Sequence, residues 1–324
     1  MFYRIKVFIL SLACIVVFCA CGNKGYELPY SPSSSVSGFN ILAATDSATV
    51  DTFAQNLCVV TTDKKNINFA DTSQCEAAVL FDINNAEILY AQNAHEQLHP
   101  ASLTKVMTAL VAIKYGTPEQ ILNATNAVYI DEQGAQLLGL KAGDSMTLNQ
   151  ALYICLLYSA NDVAMMIAEN ISGSVDKFVE LMNQEARALG ATNTNFVNPH
   201  GLTDPQQYTT AYDLYLIFNE AMKYEKFIEI IQSTAYDTTY FNIKNEPIEV
   251  SIKSTNKFLN GKETAPDNVN VIGGKTGTTN AAGHCLVLLS KDKTGAPYIS
   301  IVLRAESSDA LYAQMIDLLE EIGK

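Results

Sequence analysis

Four residues, Ser102-Leu103-Thr104-Lys105, pair a hydroxyl with an amine three positions on. On a helix that spacing puts both groups on one face about one turn apart, so a neutral amine can take the serine proton and release a nucleophile. The pattern is short, and Ser174/Lys177, Ser254/Lys257 and Ser290/Lys293 repeat it. Context separates them. Only Ser102 opens a strongly apolar run, to Tyr115, whose burial would desolvate Lys105 and favour its neutral form, and whose N-terminal amide can face an oxyanion. The other three read as solvated surface. A competing constellation, His95-Glu96-Gln97-Leu98-His99, is formally HExxH, two zinc ligands and a general base if helical. A strand-like segment precedes it and Pro100 follows, so it reads as a polar connection, and no metal or organic cofactor is expected.

Two further polar clusters follow in order. Ser159-Ala160-Asn161 falls between two helical patterns, where its side chains can point into a cleft, whereas Ser254-Thr255-Asn256 sits in a polar stretch between Lys253 and Lys257. Lys275-Thr276-Gly277 follows VNVIGG and leads into Thr278, along what should be a sheet edge suited to an extended substrate and its terminal carboxylate. Lys293-Thr294-Gly295 reads as a turn between strands.

The elements that must position these groups are legible around them. EAAVLFD (76–82) and AEILYAQ (86–92) read as strands joined across Asn84-Asn85. Helical patterns dominate 148–231, one of them stopping at Gly190. Strands return at 269–274, 284–290 and 297–305. In the last helix, from Ser308, residues Leu311, Met315, Leu318, Leu319 and Ile322 share one face. The pattern predicts an α/β (α+β) fold: an antiparallel five-stranded sheet built from both chain ends, with flanking helices and a helical layer or subdomain between them.

The ordered set Ser102/Lys105, Ser159/Asn161 and Lys275/Thr276/Gly277 resembles the penicillin-binding and serine β-lactamase superfamily. PASLTKVMTAL, LLYSANDVAMMIAE, NPHGLTDPQQYTTAYDL and GGKTGTTNAAG look like the low-molecular-mass serine D-Ala-D-Ala carboxypeptidases over about residues 75–322. The resemblance implies a β-lactamase/transpeptidase-like fold and acylation of Ser102 by a D-Ala-D-Ala terminus of peptidoglycan stem peptides or by β-lactam antibiotics. It implies Lys105 as base, Ser159 and Asn161 as proton relay and amide holder, and Lys275 and Thr276 as carboxylate binders. The oxyanion would be held by the N–H groups of Ser102 and Thr278. A class A-like β-lactamase is the near alternative, but none of the nine Glu residues between Asn161 and Lys275 has Asn four residues on. A catalytically silent peptidoglycan-binding protein is the more distant one. Only 47 residues follow Gly277, so no C-terminal β-domain is expected, and the acidic polar face of the last helix suits anionic lipid poorly.

Residues 1–20 carry Arg4 and Lys6 and then an apolar run from Val7 to Ala20, too short to span a bilayer and typical of a signal peptide. Cys21, after a small residue, resembles a lipoprotein lipidation site, an ordinary cleaved signal being the competing reading. The Ser/Pro/Gly-rich stretch 21–50 then reads as a flexible linker to a single catalytic domain over 51–324, placed outside the cytoplasm and tethered to the membrane through the lipid. Cys58 and Cys75 either pair or remain buried thiols. The chain's formal charge of −13, with 21 basic against 34 acidic residues, excludes a phosphate-backbone footprint and hence a nucleic-acid partner. Arg304 reads equally as a carboxylate contact or a surface charge.

Overall fold

Strand β1 (Ala77–Asp82) has no exposed residue, and its alternate side chains enter two different cores. Ala77, Val79 and Phe81 join the larger core with the helices, while Ala78 and Leu80 join a smaller one on the opposite face. A strand buried on both faces reads as a continuous apolar run, which is what AAVLF is. The computed structural model that shows this describes residues 57–65 and 73–324. The signal, Cys21 and linker readings fall outside the described residues. Ala54–Lys324 form one compact unit.

The main sheet also contains β2 (Glu87–Gln92), β7 (Val269–Thr279), β8 (Gly283–Asp292) and β9 (Pro297–Ala305). Its order is β2-β1-β9-β8-β7, antiparallel throughout, so the two chain ends meet where β1 pairs with β9, Val79 opposite Ile301. This is the expected sheet, with β7 at an edge. On one face lies the last helix, Ser308–Glu320, whose Leu311, Met315, Leu318 and Leu319 fill the smaller core. On the other lie α1 (Thr104–Tyr115), α2 (Leu148–Tyr153), α3 (Asn161–Ser172), α4 (Val175–Ala188), α5 (Ala211–Ala221) and α6 (Glu225–Ile231), the last helix being α7. Helix α1 is the central one, with nine buried residues from Thr104 to Ala112. An apolar stripe would be too narrow for it, and its sequence is apolar nearly all round.

One element was not anticipated. A second sheet, β3-β4-β5-β6, is assembled from Ile121–Asn123, Ser145–Thr147, Ala235–Phe241 and Pro247–Lys253. Two of its strands have only three residues, below the length at which alternation is legible. The β5–β6 hairpin alternates half-buried and exposed residues, with Tyr236 stacked on Tyr153 of α2 at 4.0 Å. The part of the chain read as a helical subdomain is therefore mixed.

Candidate active site

Ser102 sits in a 3₁₀ turn, Ala101–Leu103, that runs directly into α1. Ala101 before it has φ +46°, a left-handed conformation unusual for a residue with a Cβ. The turn is wedged between two glycines. A Cβ on Gly201 (φ +92°) would lie 1.8 Å from the Ala101 carbonyl oxygen, and one on Gly277 of β7 would lie 3.0 Å from the Ser102 nitrogen. Only glycine lets the 198–202 loop and strand β7 approach the serine this closely.

Lys105 is fully buried beneath Ser102. Its Nζ lies 2.6 Å from Asn161 Oδ1, 2.6 Å from the His200 carbonyl oxygen and 3.0 Å from Ser102 Oγ. Burial pulls its pKa down to about 8, against the opposing pull of Cys155 and Asp162. A neutral amine has two N–H donors and one lone pair. The two short contacts are to atoms that can only accept, so they take both donors, and the lone pair is left for the Ser102 hydroxyl. The geometry thus turns the free base toward the serine.

The remaining polar groups come from three elements. Helix α2 widens into a π-helical segment, Ile154–Tyr158, that ends at Ser159 with φ +68°. Such wide turns and left-handed residues cluster at functional sites. Ala160 is extended and Asn161 starts α3, its side-chain oxygen bound by Lys105 so that Nδ2 remains as a donor. Asp162 accepts from the N–H groups of Leu138, Gly139 and Leu140, holding the 134–140 loop against the cleft. Strand β7 runs straight through Lys275-Thr276-Gly277 rather than stopping before it. Lys275 is as buried as Lys105, and its Nζ donates to Ser159 Oγ at 2.9 Å and the Thr276 carbonyl at 2.8 Å. Burial, and then the charge of Lys105, hold its pKa well below that of a free lysine.

All the motif residues named from the sequence therefore meet around one cleft of about 430 Å³. Ser102, Ser159, Asn161, Thr276, Gly277 and Thr278 line it, while Lys105 and Lys275 lie under its floor. Sequence reasoning missed several participants. The His200 carbonyl is one, set by Thr108, whose hydroxyl donates to the Pro199 carbonyl, and by Gln207, whose side-chain oxygen accepts from the N–H groups of Val197 and Asn198. A backbone acceptor leaves no motif. Its imidazole stays neutral, pushed down to about 3 by burial and by Lys105, with Nδ1 accepting from the Leu202 N–H. Cys155, buried beside both lysines, has its thiol pushed up to about 11 by burial, which keeps it protonated and a poor nucleophile. Thr255 and Lys257, set aside in a solvated stretch, line the cleft, and Ser254 and Ser290 are buried.

The decoys lie elsewhere. Residues 95–99 are not helical; His95 binds the Val60 carbonyl and His99 that of Gln207. Arg304 pairs with Glu76 at 2.9 Å, away from Ser102. Lys293-Thr294-Gly295 forms the β8–β9 turn around Asp292. Cys58 and Cys75 are both buried and are not bonded to each other, and Cys75 Sγ rests against Gln314 Oε1.

A family profile described as D-alanyl-D-alanine carboxypeptidase matches residues 63–307. The chain is 32% identical over 252 residues to D-alanyl-D-alanine carboxypeptidase DacF of Bacillus subtilis, covering 76% of this chain and 61% of that one. It is 30% identical over 268 residues to DacC of Escherichia coli K12, covering 77% and 61%. It thus spans about three-fifths of the length of these relatives. Among solved structures, the Streptomyces K15 DD-transpeptidase superposes with a TM-score of 0.70 at 26% identity, covering 76% of this chain and 96% of that one.

Proposed function

The chain belongs to the D-alanyl-D-alanine carboxypeptidase family, and on that premise we propose that it is a serine-type peptidase removing the terminal D-Ala from peptidoglycan stem peptides. Ser102 Oγ attacks the carbonyl of the last peptide bond while its proton passes to Lys105. The N–H groups of Ser102 and Thr278 receive the oxyanion. The C–N bond breaks as the proton taken up by Lys105 is relayed through Ser159 to the leaving amine, and water then hydrolyses the ester, giving up one proton to Ser102 Oγ as the acyl group leaves. Asn161 Nδ2 and the edge formed by Lys275, Thr276, Gly277 and Thr278 hold the substrate strand. β-Lactam antibiotics acylate the same serine.

The observation that carries this reading is the position of Lys105 Nζ, 2.6 Å from each of two pure acceptors and 3.0 Å from Ser102 Oγ, which in the neutral amine leaves the lone pair for the serine. A second observation favours the peptidase over the β-lactamase: among the described residues, none lining the cleft is Asp or Glu, so no carboxylate stands ready to activate water on a penicilloyl ester. The full chain should release one D-Ala per molecule of a synthetic tripeptide ending in D-Ala-D-Ala, scored by chromatography of the products. Cleavage at another bond, or no release, would overturn the proposal.

The export reading belongs to the same proposal. Residues 1–20 act as a lipoprotein signal, Cys21 carries the lipid, 21–50 form the linker and 51–324 the catalytic domain on the outer face of the cell membrane. Among the described residues no helix is long and apolar enough to cross a membrane. Cleavage before Cys21 removes Arg4 and Lys6 and no acidic residue, leaving the tethered protein still more negative. Cys21→Ala should move the protein from the membrane to the soluble extracytoplasmic fraction on cell fractionation. Unchanged membrane association would contradict lipidation.

A further inference from the structure

Lys105 and Lys275 are poor partners for a substrate carboxylate. Both are buried, both have their N–H donors committed to protein acceptors, and burial favours the neutral form of each. In a protein of net charge −13, an anionic substrate end needs a local cation that the cleft itself presents. Among the described residues, Lys257 is the one Lys or Arg lining the cleft.

Building on the peptidase reading, we propose that Lys257 is the cation that receives the free carboxylate of the residue to be released, beside the paired hydroxyls of Thr255 and Thr276. The placement rests on four contacts. Thr255, two residues before Lys257, has its hydroxyl 2.6 Å from that of Thr276, which ties this segment to the strand edge. The Lys257 backbone N–H donates to Tyr312 Oη at 2.9 Å, and its Nζ lies 4.8 Å from the Tyr312 ring, so the ammonium is anchored on a cleft wall. Its ion pairs are loose, 3.4 Å to Glu263 and 3.5 Å to Asp309, against roughly 2.7–2.9 Å for a close charge-assisted bond. Asp309 is almost wholly exposed, so a carboxylate on the ammonium would displace a solvated partner.

The charge also reaches the strand edge. His284, whose Nδ1 lies 3.3 Å from Thr278 Oγ1, is lowered in pKa by burial and by Lys257. The field of Lys257 therefore falls on the hydroxyls along which an extended substrate would lie. The arrangement selects a peptide with a free C-terminus and disfavours one that continues, because an amide in that place offers the ammonium no charge.

The competing role is structural, an ion pair tying residues 257–263 to the start of α7. Both roles are separated by the ratio of Ser102 acylation rates with benzylpenicillin, which carries a carboxylate, and its methyl ester, which does not. In the full chain Lys257→Met should lower that ratio about 10-fold, the size of one partly exposed charge-assisted bond, and Lys257→Arg should keep it within about 3-fold. A ratio unchanged in Lys257→Met, whether both rates fall together or neither falls, would overturn the assignment. A wild-type chain acylated by neither compound would instead overturn the peptidase reading, and this assignment with it.

Discussion

Lys105→Met is expected to slow acylation of Ser102 by benzylpenicillin about 10³-fold, the middle of the range for losing a positioned general base. Methionine matches the length of the lysine stem but has no lone pair basic enough to take the serine proton. The burial that makes Lys105 useful has a definite magnitude. A pKa of about 8 in place of 10.5 raises the neutral fraction at pH 7 about 300-fold, to nearly one molecule in ten. The wild-type acylation rate should therefore climb about 10-fold per unit from pH 6 and level off above about pH 8. The direction follows from the proton: the amine must have lost it to act as base, so higher pH helps until it is neutral in all molecules. In Lys105→Met this rise should vanish along with the rate. Stability is expected to respond weakly, because two effects oppose. Methionine removes the desolvation of an amine buried in the core, but Asn161 Oδ1 and the His200 carbonyl lose their donor, at about 1–3 kcal/mol for each unsatisfied group. Stopped-flow acylation and a thermal melt read the two quantities separately. A variant within about 3-fold of wild type in rate would remove Lys105 from the mechanism.

The sequence carried the candidate site residues further than it carried their supports. Ser102, Lys105, Ser159, Asn161 and Lys275, which meet at the cleft, were legible because the chemistry proposed for them needs particular side chains at short, ordered spacings. Their elements were legible for a related reason: α1 and β1 are apolar on all sides, and the five strands of the main sheet are long enough to show their runs. The second sheet was hidden because Ile121–Asn123 and Ser145–Thr147 are too short for any period. The His200 carbonyl was hidden because every residue type has one. Lys257 was visible and misjudged. Its polar neighbours suggested a solvated surface, yet alternate positions there are buried, Ser254 and Asn256 inward with Thr255 exposed at the cleft. Local polarity could not reveal that α7, more than fifty residues on, supplies the Tyr312 against which Lys257 rests. Gly201 and Gly277 show the same limit. Each sits within a motif, but the reason for each is a backbone approach between segments distant in the chain.

Ser102→Ala is expected to abolish covalent capture of penicillin altogether, the largest effect of any single change. The substitution removes one oxygen from a half-buried position and leaves the turn, Lys105 and the cleft in place, so the fold has little reason to respond. Among the described residues at the cleft, no other nucleophile stands ready. Cys155 is protonated and fully buried, and Ser159 accepts from Lys275, whose own lone pair is not directed to it. A penicillin that finds the cleft of the alanine variant should therefore dissociate unchanged, whereas on the wild-type chain the ring-opened ester should persist, because among the described residues lining the cleft none is a carboxylate that could drive its hydrolysis. Intact-mass measurement after incubation with benzylpenicillin tests the central claim directly. The account predicts a mass increase of one penicillin per wild-type chain, mapped to Ser102, and no increase for Ser102→Ala. An unmodified wild-type chain, or an adduct that survives in Ser102→Ala, would contradict it.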